Sequence, residues 1–221
     1  SSFVSSILLI LFLKIRIIGD LSNREIILAI SVLFWTTRLS FFLFQRVKRV
    51  GKDERFDKYK FSFTKFLLAW ITQGLWVFIC LFPTLIVFSS PTNNEILCLS
   101  LGWFIYLFGI VTEIIADYQK TIHNRINNKN RKFISSGLWS ISRHPNYFGE
   151  FLIWTGITII CFPVFSGFKY LGLITPIFIY LLLNYISGVN LLEERAKEKW
   201  GNNPEYDKYL KTTPKFFPKI F

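Results

Sequence analysis

The sequence predicts an all-α protein whose helices cross a membrane several times. Of its 221 residues, 52% are hydrophobic and 19% are aromatic, which lies outside the composition of soluble domains. Several apolar segments approach the roughly 20 residues that a helix needs to cross a bilayer. The formal net charge is +12, and most basic residues lie between and after these segments. This pattern is typical of membrane proteins, whose loops on the inner side of the membrane are rich in Lys and Arg. We therefore expect membrane lipids, and not a nucleic acid, to face these basic residues.

About six apolar segments are predicted to form one membrane domain, a multi-pass transmembrane helical bundle of residues 1–221. The first segment is short and carries Lys14 and Arg16 near its end. The second contains Arg38 and the third contains Gln73, and polar groups at such depth normally face the interior of a bundle or a wet cavity. A charged amphipathic tail that faces the cytosol or the mitochondrial matrix closes the chain. The predicted segments are 3–18, 26–45, 66–90, 96–116, 147–165 and 169–190, and the tail is 191–221.

Charge predicts the orientation of these segments. With six spans, the basic loops 46–65 and 117–146 and the tail all lie on one side, and the short turns 89–95 and 166–168 lie on the other. Lys14 and Arg16 do not fit this arrangement, since they would lie on the less basic side. Because the sequence contains no Met, even at position 1, we expect an upstream segment, with room for one further span.

The segment 137–156 (GLWSISRHPNYFGEFLIWTG) changes from a cationic loop into an apolar helix. Pro145 suits the first helical position, where its missing N–H needs no partner. Arg143 and His144 at the helix start could bind a buried carboxylate or an anionic ligand. The helix then carries a polar face at four-residue spacing, made up of Asn146, Glu150 and Trp154 with Tyr147 beside them. We interpret this face as part of a site at the water-facing end of a span.

The polar residues that interrupt the apolar pattern gather toward the inner half of the predicted bundle. Such a group could form a cavity that admits a charged cofactor from water and an apolar substrate from lipid, or it could simply join helix ends by hydrogen bonds. His144 lacks a second metal ligand three or four residues away, and the three cysteines show no CxxC spacing, so we expect no metal site. The residues of the group are Arg38, Gln73, Glu113, Asp117, Arg143, His144, Asn146, Glu150, Asn184, Asn190, Glu193, Glu194 and Arg195.

The same motif, with SGVNLLEERAKEKWGNNPEYDKYLKTTPKFFP near the end of the chain, closely resembles the steroid 5-alpha-reductase superfamily. The resemblance is best to its branch of uncharacterised membrane proteins. It continues upstream through WTTRLSFFLFQR, WITQGLWVF and GWFIYLFGIVTEIIADYQK, and so covers the chain from about residue 30 to its end. It implies a multi-helix membrane fold with NADPH in a cytosol-facing cavity. The implied activity is reduction of a C=C bond conjugated to a ketone, in a steroid or another lipid-soluble substrate.

The resemblance also implies which residues bind the cofactor. Arg143 can pair with a phosphate in a bidentate manner. The implied cofactor contacts are Arg143, His144, Asn146, Tyr147 and Glu150 in the motif, and Glu194, Arg195, Tyr206 and Tyr209 in the tail. Arg38, Gln73 and Trp154 are expected to line the cavity. The catalytic residues are unknown, because Trp35 stands near the position of the family's catalytic Tyr and residues 1–18 contain no carboxylate.

Two other functions remain open. The isoprenylcysteine and phospholipid methyltransferases, which bind S-adenosylmethionine, share an Arg-His-Pro-x-Tyr-x-Gly motif and a distal pair that resembles Glu193-Glu194. The absence of an early-span Tyr and carboxylate, which the resemblance implies for catalysis, instead suggests a non-catalytic subunit of a larger membrane complex. A mitochondrial respiratory complex is one such complex, and this alternative needs no cofactor. The sequence leaves open whether the membrane is the endoplasmic reticulum or the mitochondrial inner membrane.

Overall fold

The chain is helical throughout its described parts. A computed structural model describes residues 2–17, 19, 21–50, 62–90, 96–127, 132–186 and 188–219, and within these ranges there is no strand. Five helical stretches are long and apolar enough to cross a membrane, namely Asn23–Lys48, Phe63–Phe88, Ile96–Ile126, Pro145–Val164 and Gly167–Trp200. The prediction of an all-α, multi-pass membrane protein surrounded by lipid is therefore confirmed. Residues 51–61 of the first predicted basic loop, 128–131 of the second and 91–95 of the turn lie outside the described residues. Residues 117–127 of the second predicted loop are helical, because the helix that begins at Ile96 continues to Asn127.

The first predicted span is a helix, but a short one. Helix α1 has 16 residues and is therefore about 24 Å long, which is less than the roughly 30 Å of a bilayer core. The α-helices are α1 (Ser2–Ile17), α2 (Asn23–Val50), α3 (Phe63–Phe88), α4 (Ile96–Asn127), α5 (Pro145–Cys161), α6 (Ile174–Leu181), α7 (Val189–Trp200) and α8 (Pro204–Thr212).

The chain forms two compact units. The first comprises residues 1–99 and 157–173, and the second comprises residues 100–156 and 174–221. In the first unit, α1 packs against α2 and α3. The Phe3 ring lies edge-on to the Trp35 ring, with 5.4 Å between centroids, and Trp35 is fully buried. Trp35 is thus a core residue of this unit.

A capping box starts α2 in the first unit. The Glu25 carboxylate accepts hydrogen bonds from the backbone N–H and the hydroxyl of Ser22, both at 2.8 Å. The Glu25 backbone N–H donates in turn to Ser22 Oγ at 3.4 Å, and this reciprocal arrangement stabilises helix starts. Its other oxygen lies 3.0 Å from Lys14 Nζ, and Lys14 also donates to the Phe88 carbonyl oxygen at 3.0 Å. The charge of Lys14 on the predicted outer side is therefore neutralised within the protein.

In the second unit, α4 and α5 cross at glycines. A Cβ atom added to Gly149 would lie 2.7 Å from the Gly109 carbonyl oxygen, and one added to Gly156 would lie 2.6 Å from that of Gly102. Real side chains do not fit into such contacts, so glycine is required for the two backbones to approach this closely. This crossing brings the last turns of α4 beside the loop that precedes α5.

The last predicted span, 169–190, lies within the candidate span Gly167–Trp200, where the helix is irregular. A 3-10 segment, Gly167–Leu173, leads into α6, and a π-helical turn, Leu182–Ile186, follows it. Asn184 Nδ2 donates to the Tyr180 carbonyl oxygen at 3.0 Å, so its side chain competes for the backbone bonds of a regular helix. Helix α7 starts just beyond Gly188. Within the described residues, this span thus combines the 3-10 segment, α6, the π-helical turn and the start of α7.

Candidate functional site

The loop that precedes α5 is anchored to α4. Trp139 Nε1 donates to the Ala116 carbonyl oxygen at 3.1 Å, and the Leu138 backbone N–H donates to Gln119 Oε1 at 3.0 Å. Gly137 has a φ of +63°, a left-handed conformation that glycine adopts without strain. The loop therefore reaches Arg143 along a defined path over the end of α4.

The end of the chain holds the same loop from another side. The Arg143 backbone N–H donates to the Pro214 carbonyl oxygen at 2.9 Å, and the Ser142 hydroxyl donates to the Phe216 carbonyl oxygen at 2.8 Å. Phe216 also packs edge-on against Phe148 of α5, with 6.2 Å between ring centroids. The carboxy-terminal segment thus fixes the backbone at Arg143, directly before α5 begins at Pro145 as predicted.

One carboxylate of α7 joins the two residues before Pro145. Glu193 Oε2 lies 2.8 Å from Arg143 NH1, and Glu193 Oε1 lies 2.7 Å from His144 Nε2. The His144 ring is stacked on the Tyr147 ring, with 5.9 Å between centroids and 9° between the planes. Arg143, His144 and Glu193, which we call the Arg-His-Glu cluster, are therefore held as one unit.

The Arg-His-Glu cluster forms part of the wall of a cavity of about 260 Å³. The wall consists of the end of α4, the loop before α5, α7 and α8. Of the lining residues in the described part of the chain, five are cationic (Lys120, Lys132, Arg143, Arg195 and Lys199) and one, Glu193, is acidic. The other lining residues are His123, Asn124, Phe133, Ile134, Trp139, His144, Leu192, Ala196, Trp200, Tyr206 and Tyr209. Such a wall favours an anionic ligand with a planar aromatic part.

Aromatic rings form one side of the cavity. The Phe133 ring centroid lies 5.1 Å from that of Tyr206, 5.4 Å from that of Tyr209 and 6.1 Å from that of Trp200. The Tyr209 hydroxyl donates to the Trp139 carbonyl oxygen at 2.7 Å. The Tyr206 hydroxyl has no hydrogen-bond partner among the residues described, although Tyr206 is only 4% exposed. Of the two tyrosines, Tyr206 therefore has the hydroxyl available to a ligand.

Burial sets the protonation of these groups. It raises the pKa of both tyrosines, and the Glu193 charge acts in the same direction, so both hydroxyls stay protonated at neutral pH. Burial lowers the pKa of His144, and this outweighs the opposing hydrogen bond and charge of Glu193. The cavity thus presents phenol donors and a neutral imidazole at neutral pH.

The structure brings some of the predicted site residues to this cavity and not others. Arg143, His144, Arg195, Tyr206 and Tyr209 line it. In the same unit, α5 carries Asn146, Tyr147, Glu150 and the fully buried Trp154, and none of these four belongs to the cavity wall. The remaining three are Glu194, which is exposed, and Arg38 and Gln73, which belong to the first unit.

The sequence placed Glu193 in the polar group but selected Glu194, not Glu193, as a cofactor contact, and it missed most of the other lining residues. Glu193, Ala196 and Trp200 are spaced three and four residues apart, and so share one face of α7. That spacing, measured back from Trp200, would have favoured Glu193 over Glu194. Lys120 gave no comparable signal, because its place depends on the crossing of α4 and α5. The other missed residues are His123, Asn124, Lys132, Phe133, Ile134, Trp139, Leu192, Ala196, Lys199 and Trp200.

Fold and cavity together describe an all-α membrane protein with a basic, aromatic pocket. Residues 2–213 match the family described as "Protein of unknown function (DUF1295)", which includes steroid 5-alpha-reductase-like proteins. The chain belongs to this family.

Two curated relatives are similar to the chain. One, an uncharacterized protein of Schizosaccharomyces pombe, is 26% identical over 232 residues, which cover 90% of this chain and 64% of that protein. The other, a probable 7-dehydrocholesterol reductase of Acanthamoeba polyphaga mimivirus, is 29% identical over 153 residues, which cover 58% of this chain and 32% of that protein. The chain thus spans less than two thirds of either relative. No solved structure matches it.

Proposed function

We propose that this protein is an NADPH-dependent membrane reductase of a conjugated C=C bond in a sterol or another lipid-soluble substrate. The observation that carries the proposal is the cavity with five cationic lining residues, one acid and a cluster of aromatic rings. The name of the similar mimivirus protein, a probable 7-dehydrocholesterol reductase, supports the reaction class. We further propose that the chain belongs to the uncharacterised branch of the steroid 5-alpha-reductase superfamily.

The residues present fit the charge of such a cofactor. NADPH carries several phosphate charges, whereas S-adenosylmethionine carries a sulfonium cation and no phosphate. A wall with five cations and one acid attracts the former and disfavours the latter. A volume of about 260 Å³ is at the small end for ligand sites, and suits one half of a dinucleotide. The cavity therefore favours the reductase over the methyltransferase.

Each part of the wall has a distinct task in this proposal. Arg143 and Lys120 bind phosphate oxygens, since charge-assisted hydrogen bonds to phosphate are strong and directional. The rings of Trp200 and Phe133 offer a stacking surface for the adenine base, and the Tyr206 hydroxyl donates a hydrogen bond. NADPH, when bound, supplies a hydride to the substrate carbon. The protein's own contribution is placement and charge neutralisation.

The first turns of α5 are proposed to hold the rest of the cofactor. Asn146 and Glu150 lie one turn apart, and the Asn146 Oδ1 atom is buried without a hydrogen-bond partner in the described part of the chain. Amide and carboxylate groups can bind the hydroxyls of a ribose or the amide of a nicotinamide. Trp154, in the same unit, remains proposed as a further lining residue for the cofactor or substrate.

A direct binding measurement tests the proposal. The purified chain in lipid nanodiscs would be titrated with NADPH, NADH and S-adenosylmethionine, and binding would be followed by tryptophan quenching and calorimetry. We expect NADPH to bind most tightly, and its affinity to fall as salt is raised from low to physiological concentration, because the contacts are ionic. Tighter binding of S-adenosylmethionine would reject the reductase in favour of the methyltransferase.

A second candidate is a non-catalytic subunit of a larger membrane complex. It is favoured by the burial of Trp35, which stands near the catalytic Tyr position and is 1% exposed, because an indole cannot supply a proton at neutral pH. This candidate predicts co-purification with other membrane proteins and no NADPH oxidation with any enone. Steady reduction of an enone by the isolated chain would exclude it. The organelle, endoplasmic reticulum or mitochondrion, stays a prediction to be checked by fractionation.

A further inference from the structure

Glu193 uses both of its oxygens inside the wall of the cavity. Oε2 pairs with Arg143 NH1 at 2.8 Å, and Oε1 meets His144 Nε2 at 2.7 Å. A carboxylate beside a guanidinium is ionised and can only accept hydrogen bonds. The proton of the contact with His144 must therefore be on Nε2 of the imidazole.

The proton on Nε2 also determines the state of the second ring nitrogen, Nδ1. Burial lowers the pKa of His144, with Lys120 and Arg143 acting in the same direction and Glu193 opposing, so the ring is neutral at neutral pH. A neutral imidazole with its proton on Nε2 carries a lone pair on Nδ1. His144 therefore offers an acceptor in a wall that is otherwise rich in donors.

Two buried atoms of adjacent residues are left without partners. His144, only 5% exposed, has a buried Nδ1 atom with no hydrogen bond, and the same holds for Arg143 Nε, as far as the described residues show. One of these atoms is an acceptor and the other is a donor. Buried polar groups without partners cost free energy, and a ligand with a complementary pair of groups would relieve both.

We propose that Glu193 is a positioning residue, which holds His144 with its proton on Nε2 so that Nδ1 accepts a hydrogen bond from a hydroxyl group of an anionic ligand bound at Arg143. A sugar that carries a phosphate beside a free hydroxyl has this pair of groups, and the ribose of a nucleotide is such a sugar. The inference rests on the proposed function, and it assigns the donor and the acceptor that would recognise the sugar of the cofactor.

Two matched substitutions separate this role from simple electrostatics. Glu193→Gln and Glu198→Gln each remove one negative charge from α7, and Glu198 is an exposed residue outside the cavity wall. If Glu193 acted only through its charge, its removal would tighten the binding of an anion. A positioning residue has the opposite effect, because the amide lets the His144 ring exchange tautomers and releases Arg143.

The binding arm uses NADPH as the probe, with the full chain in nanodiscs. We expect Glu193→Gln to weaken NADPH binding about tenfold, which corresponds to the loss of one hydrogen bond to a charged group. Glu198→Gln should leave the affinity unchanged or slightly tighter. Tighter binding of NADPH by Glu193→Gln would overturn the proposal. The thermal unfolding midpoint of each variant shows whether it is folded.

The second arm measures the His144 imidazole directly and needs no ligand. The chain contains two histidines, so a sample labelled with ¹⁵N in histidine gives few imidazole signals, and His123→Gln assigns those of His144. We expect a neutral His144 ring with the proton on Nε2, and a mixture of tautomers in Glu193→Gln. A cationic ring, or a proton on Nδ1, would overturn the proposal.

The two arms also distinguish failure of the inference from failure of the proposed function. If the wild-type chain does not bind NADPH, the proposed cofactor is wrong, while the imidazole signals still decide whether Glu193 positions His144. If the wild-type chain binds NADPH and Glu193→Gln changes neither the affinity nor the tautomer, the cofactor stands and the positioning role is wrong.

Discussion

Glu25 in the first unit and Glu193 in the second both bridge two groups, but their surroundings differ. The Glu25 side chain is 2% exposed and bonds to Lys14 and Ser22. The Glu193 side chain is 23% exposed and borders a cavity, and its partners Arg143 and His144 each retain a buried atom with no partner among the described residues. The Glu25 contacts join the end of α1 to the start of α2. The Glu193 contacts leave His144 Nδ1 and Arg143 Nε without a partner among the described residues, and we propose above that a ligand binds these two atoms.

The largest expected effect concerns the ion pair of Glu25 with Lys14 in the first unit. Glu25→Ala should lower the free energy of unfolding by about 3–5 kcal/mol, because a nearly buried Lys14 would keep its charge without a counter-ion. Chemical unfolding in detergent, followed by circular dichroism, measures the change. Glu194→Ala, at an exposed site, is the control and should be nearly neutral. A loss below about 1 kcal/mol would mean that Lys14 is hydrated and that the Glu25 pair is not structural.

A smaller effect is expected at two helix glycines, because Gly149 in the second unit touches a neighbouring helix and Gly74 in the first unit has open space around it. Gly149→Ala should lower the free energy of unfolding by about 1–3 kcal/mol, because the added Cβ would lie 2.7 Å from the Gly109 carbonyl oxygen. Gly74→Ala in α3 meets nothing within 4 Å and should be neutral or stabilise by up to about 1 kcal/mol. Equal stability of the two variants in thermal unfolding would show that α4 and α5 separate easily.

The smallest effect concerns the two tyrosines of α8. Tyr206→Phe should weaken NADPH binding about five- to tenfold, the value of one hydrogen bond, without a change in stability. Tyr209→Phe should instead lower the free energy of unfolding by about 1 kcal/mol, because the Trp139 carbonyl oxygen loses its donor. Parallel binding and unfolding measurements decide between these roles. If Tyr209→Phe weakened NADPH binding and Tyr206→Phe lowered stability, Tyr209 would be the ligand-binding residue and Tyr206 the structural one.

The site was predictable where its residues are close in sequence. Pro145 opens α5, and Arg143 and His144 lie at its start, as the motif indicates. Lys120 and Trp139 join them only because glycines let α4 approach α5. The choice of Glu193 over Glu194 depends on which face of α7 turns toward the cavity. The π-helical turn inside the predicted span 169–190 contains Asn184, whose side chain donates to the Tyr180 carbonyl oxygen.

The sequence by itself determined the membrane class, the number of long apolar helices to within one, and the cationic loop before α5. These properties follow from local hydrophobicity, charge and helix-start chemistry, which need no knowledge of distant residues. Only the tertiary structure decided that the carboxylate of Glu193 joins Arg143 to His144, whereas that of Glu25 serves a closed structural pair. Both decisions depend on contacts between residues far apart in the chain, and packing between helices, not local pattern, sets those contacts.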